Sequence, residues 1–120
     1  MRKYNRAKTT AGQRIRLLAS KCDGTPCTAA DIAAAWYTVL DISRGYFPVP
    51  YHTTVEIDLE RALGDVKTDA ETGKTYNFEY IVEANENHQP FQYEGTCYRL
   101  DLVLMDKARK VTSHQIYYRT

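Results

Sequence analysis

The stretch that most constrains the fold runs from Thr53 to Tyr80, TTVEIDLERALGDVKTDAETGKTYNFEY. Val55, Leu59, Ala62 and Leu63 fall on one face of a helix. Thr53 with Glu56 fits a capping box, and Gly64 stands where a helix takes a left-handed C′ residue. Val55, Ile57 and Leu59 also alternate, so a strand over 53–63 is the competing reading. Beyond Gly64 the pattern is a hairpin. Asp69-Ala70-Glu71-Thr72-Gly73-Lys74 carries turn chemistry between Val66-Lys67-Thr68 and Tyr76-Asn77-Phe78.

A helix followed by a hairpin is the order of a winged helix, with a recognition helix and then a wing. The N-terminal third fits that order. Residues 1–8 read as a basic flexible arm. Thr9 or Thr10 can cap a helix reaching to about Lys21, with Ile15, Leu17 and Leu18 as its apolar stripe. Cys22-Asp23-Gly24-Thr25-Pro26 breaks it. Thr28-Ala29-Ala30-Asp31 then caps a second helix, rich in alanine, in which Trp36 is the core anchor. Trp36 and Leu59 are expected to share one core. Residues 41–52 form a loop or helix end with two prolines. After the polar break at 85–90, Cys97, Arg99, Asp101 and Val103 alternate with Tyr98, Leu100, Leu102 and Leu104. A strand over 96–105 follows, then a turn at 106–110 and a strand over 111–119. The expectation is α+β, with N-terminal helices before antiparallel strands: a winged-helix-like part over 9–83 and a β extension over 84–120 in one domain.

Charge is uneven along the chain. Arg2, Lys3, Arg6, Lys8, Arg14, Arg16 and Lys21 give the first 22 residues a charge of +7 with no acid. The remaining nine basic and fifteen acidic side chains make the body −6. A basic arm on an acidic body suits phosphate contact. The winged-helix order makes a DNA-binding transcriptional regulator the leading expectation, in which Lys3, Arg6, Lys8, Arg14 and Arg16 hold phosphates of duplex DNA. His52, Thr53 and Thr54 stand at the recognition-helix N-terminus, and Lys67 and Lys74 in the wing.

Several pieces resemble the ferric uptake regulator family of metal-sensing repressors. They are Arg6 to Leu18 (RAKTTAGQRIRLL), Cys27 to Ile32 (CTAADI), Thr54-Val55 with Leu59 and Gly64-Asp65-Val66, and Val111 to Tyr117 (VTSHQIY). The resemblance implies a winged-helix DNA-binding repressor. The chain departs from it where the family carries a tyrosine and an arginine after the threonine–valine pair, since Glu56 and Ile57 stand there. The paired cysteines of a structural zinc site are also missing. His88 and His114 fall where the family has regulatory metal ligands, and a third ligand such as Glu86 or Asp101 would be needed.

Other chemistry is sparse. Cys22, Cys27 and Cys97 are an odd set and fit reduced thiols. There is no glycine-rich phosphate loop, no marked nucleophile with its base, and no run long enough to span a membrane. The N-terminus has no signal-peptide core, so a cytoplasmic protein without metal or cofactor is expected, and not an enzyme. The competing function is a non-enzymatic protein-interaction or assembly component. It would use its antiparallel sheet, as a homodimer or with a protein partner through the C-terminal strands, Ser113 to Arg119.

Overall fold

Alternation of large apolar with polar residues organises this chain mainly into strands. The computed structural model describes residues 3–9, 11–21, 23–83 and 89–120. The strands are β1 (Asn5–Arg6), β2 (Gln13–Leu17), β3 (Ile32–Asp41), β4 (Phe47–Pro48) and β5 (Val55–Glu56). After the helix α1 (Leu59–Ala62) come β6 (Leu63–Thr68), β7 (Thr75–Val82), β8 (Cys97–Asp106) and β9 (Val111–Arg119). One sheet has the order β1-β9-β8-β3-β4, with β5 also paired to β3. The other is β2-β7-β6. Among the described residues every pairing is antiparallel except β1 with β9, where Asn5 faces Tyr118 and Arg6 faces Arg119 in parallel.

The two sheets share one core. Tyr37, Val39, Leu100, Leu102 and Tyr118 from the larger sheet meet Ile15, Phe78 and Val82 from the smaller. Tyr37 and Tyr80 touch across the gap, with ring centroids 5.6 Å apart. The loop at 89–96 is packed in as well: Phe91 is buried, 4.8 Å from the Tyr118 ring and 5.3 Å from the Tyr98 ring. Thr120 fastens it. Its hydroxyl donates to the Tyr93 carbonyl at 2.6 Å, and its N–H donates to the Thr96 carbonyl at 3.1 Å.

The fold corrects the α+β and winged-helix expectation. Among the described residues half are in strands and 4% in helix, with no helix of seven residues or more. The first expected helix is replaced by β2, which pairs with β7 from Gln13↔Val82 to Leu17↔Phe78. The second is β3, which pairs with β8 from Ile32↔Asp106 to Asp41↔Tyr98. Its capping-box contact does form: the Thr28 N–H donates to the Asp31 carboxylate at 2.8 Å. The chain then leaves that turn as a strand, because Ala35, Tyr37, Val39 and Asp41 are buried at every second position. Over 53–63 neither reading holds alone. Val55–Glu56 is a short strand and Leu59–Ala62 a single helical turn, capped by Asp58 and not by Thr53. Gly64 lies inside β6. Trp36 is not in the core cluster; it lies half-buried on the other face of β3 from Ala35 and Tyr37, while Leu59 packs against the core. The two C-terminal strands and the 69–74 turn are where the alternation puts them.

Candidate functional site: an open sheet edge and a basic cavity

Strand β9 forms the rim of the larger sheet, and its backbone directions follow from three contacts. The Asp106 N–H donates to the Lys110 carbonyl, so even-numbered residues turn toward β8. The Tyr117 carbonyl accepts from the Asn5 side chain at 3.2 Å, and the Arg119 carbonyl accepts from the Ala7 N–H at 3.1 Å. Odd-numbered residues therefore turn outward. β1 covers the edge only at Tyr118 and Arg119. The outward N–H and C=O groups of Val111, Ser113 and Gln115 meet no backbone partner among the described residues. Side chains on this stretch are Val, Thr, Ser, His and Gln, with no charge and no proline, and its pairing to β8 runs without a bulge. Val111 is 58% exposed.

The remaining edges are protected. β6 carries Asp65 and Lys67, and its register with β7 shifts between Leu63 and Lys67. β2 carries Arg14 and Arg16. The far side of β3 is covered by the two-residue strands β4 and β5. Charges, bulges and short strands are the ordinary defences of a sheet edge. The stretch from Val111 to Gln115 has none of them.

A cavity of about 530 Å³ lies where β1, β2, the β6–β7 turn and the end of β9 converge. Lys3, Arg6, Arg14, Arg16 and Lys74 line it, with Tyr76, Ile116 and Tyr118 as its apolar wall and Asp69 and Glu71 as its acids. Arg16 is fixed. It pairs with Glu79 and, at 3.1 Å, with Asp69, and its guanidinium lies 4.5 Å from the Tyr76 ring centroid. The Glu79 carboxylate, and less strongly Asp69, hold its pKa above the ordinary value. Asp69 is held below the usual carboxylate range by the Glu71 N–H, Arg16 and the Thr72 N–H, in that order. Among the described residues Lys3, Arg6, Arg14 and Lys74 make no ion pair. Burial pushes the Tyr118 phenol up to about 12, so it stays a neutral donor.

Five of the ten expected phosphate contacts thus gather round one cavity. The other five do not. Lys8 lies on the exposed chain after β1, and Lys67 lies on the exposed β6 edge. His52 is buried, 5% exposed, with its Nδ1 2.8 Å from the Tyr37 hydroxyl. The Thr53 hydroxyl donates to the Val49 carbonyl, and the Thr54 N–H donates to the Thr38 hydroxyl. His52 and Thr54 fasten the 42–54 loop to β3, and Thr53 closes a turn within it. There is no recognition-helix N-terminus for them to occupy.

Of the metal-ligand candidates, His114 sits half-buried on the inner face of β9, and burial lowers its pKa. His88, Glu86 and Cys22 lie outside the described residues. Among the described residues no three His, Cys, Asp or Glu side chains cluster as metal ligands. No helix of the described residues is long and apolar enough to cross a membrane. The open edge was half visible in the sequence. Ser113 to Arg119 was the expected pairing strand, but β1 occupies its end, and the open part is shifted to 111–115. Tyr76, Ile116 and Tyr118 had no signal beyond ordinary strand alternation. No protein-family model matches the chain, and neither does any curated protein or solved structure.

Proposed function

We propose that the protein is a non-enzymatic assembly component that joins a second copy of itself by strand pairing at Val111–Gln115. The observation that carries this reading is the contrast between edges: this one is neutral, regular and open, while the others are charged, bulged or covered. Antiparallel pairing centred on Ser113 sets Val111 opposite Gln115 and Thr112 opposite His114. No like charges face each other from Val111 to Gln115. The outward backbone groups fall opposite one another, as the hydrogen-bonded pairs of an antiparallel ladder require. The interface is isologous and closes as a two-fold dimer, merging the two larger sheets into one. The only deeply buried histidine among the described residues, His52, is committed to Tyr37 inside the core, which suits a structural role better than proton transfer.

Sedimentation velocity over a concentration series tests this. Wild type should shift from monomer to dimer as concentration rises. Ser113→Pro removes an outward N–H, which an edge strand tolerates in the monomer. It should stay monomeric with an unchanged far-UV spectrum. A wild-type chain that stays monomeric throughout, or a folded Ser113→Pro that dimerises as well as wild type, would overturn the reading.

A further inference from the structure

We infer that the basic cavity beside β1 binds the phosphate chain of single-stranded nucleic acid. Lys3 and Arg6 come from β1 and its approach, Arg14 from β2, and Lys74 from the β6–β7 turn. These separate pieces of chain bring four cations to one concave surface, with no carboxylate paired to any of them among the described residues. Arg16 provides the contrast within the same cavity, because Asp69 and Glu79 neutralise it. Asp69 is in turn taken by Arg16 and by the N–H groups of Glu71 and Thr72, leaving Glu71 as the one acid of the wall without that role. Clustered like charges repel, and an anion with several phosphates relieves that repulsion at every cation.

Shape selects the strand state. The cations line a cavity of about 530 Å³ in which a single sugar–phosphate chain can settle. The only helix of the described residues has four residues, too short to serve as a recognition helix in a major groove. Tyr76 and Ile116, half-buried at the cavity wall, give the bases an aromatic and apolar surface, the usual complement to a basic track for single strands, while Tyr118 backs that wall from the core. This site does not depend on strand pairing, since Val111 to Gln115 do not line the cavity.

Fluorescence anisotropy of a labelled twenty-residue oligo-dT, titrated with the full chain at several salt concentrations, tests the inference. Each phosphate contact on a single strand contributes about −0.7 to the slope of log affinity against log salt, so four contacts give about −2.8. Affinity should fall about fiftyfold between 50 and 200 mM salt on that slope. Arg14→Ala with Lys74→Ala, both exposed side chains, should keep the wild-type melting temperature and roughly halve the slope. Lys8→Ala with Lys67→Ala, exposed cations outside the cavity, should leave binding as in wild type. The inference fails if oligo-dT does not bind at 50 mM salt, or if the two double variants lose affinity equally. It also fails if a twenty-base-pair duplex binds more tightly than oligo-dT.

Discussion

Asn77 shows what a single polar residue does inside this protein. Strand alternation sets it on the face of β7 opposite Phe78, where the chain from Ala19 to Cys27 covers it. Its Oδ1 accepts from the Ala19 N–H at 2.8 Å, and its Nδ2 donates to the carbonyls of Ala19 at 2.9 Å and Cys27 at 3.1 Å. A buried amide with all these groups satisfied ties both arms of the bridged connection, at Ala19 and Cys27, to the smaller sheet. Asn77→Ala leaves the Ala19 N–H and the Cys27 carbonyl without that partner. At roughly 1–3 kcal/mol for each of these two stranded groups it should cost about 2–6 kcal/mol in urea denaturation. His114 gives a second residue-scale expectation. Burial depresses its folded pKa below the unfolded value, so the folded state binds fewer protons than the unfolded state between the two. The neutral ring is favoured in the fold. Stability should therefore decline as pH falls from the ordinary histidine value of 6.5 toward the folded pKa. His114→Gln should remove that part of the pH dependence, which melting temperatures between pH 5 and 8 would reveal.

Elements divide into those that local chemistry specifies and those that only their neighbours explain. The β6–β7 and β8–β9 hairpins were readable because turn residues and period-two alternation agree. Gly73 takes a positive φ of 72° at the first turn, and Arg109 one of 65° at the second. β3 misled for a physical reason. Its alanines favour a helix, and Thr28 with Asp31 makes a true cap contact, yet β8 on one side and β4 and β5 on the other complete its backbone ladder. The signal that could have found it was the odd-numbered series Ala35, Tyr37, Val39 and Asp41. β2 is short and carries Arg14 and Arg16 between apolar residues, a pattern that a basic helix face also fits; pairing with β7 decides it. The 53–63 segment changes state midway, so a single periodicity describes no part of it well. The basic side chains of the cavity were readable as a charge excess. Their assembly needed the parallel pairing of β1 with β9, which no local pattern announces.

At the scale of the molecule, two sheets close one core and leave one vulnerable rim. Natural sheets guard exposed edges because an open ladder recruits other strands. This protein guards β2, β6 and the far side of β3 and leaves Val111 to Gln115 regular and neutral, which is the central reason to read it as an assembly component. Amide hydrogen exchange of the β9 residues at low and high protein concentration tests that claim most directly. The N–H groups of Thr112, His114 and Ile116 turn toward β8 and should be protected at both concentrations. Those of Val111, Ser113 and Gln115 should exchange rapidly when the protein is dilute and become protected as it is concentrated. Rapid exchange at Ser113 and Gln115 at every concentration would contradict the account.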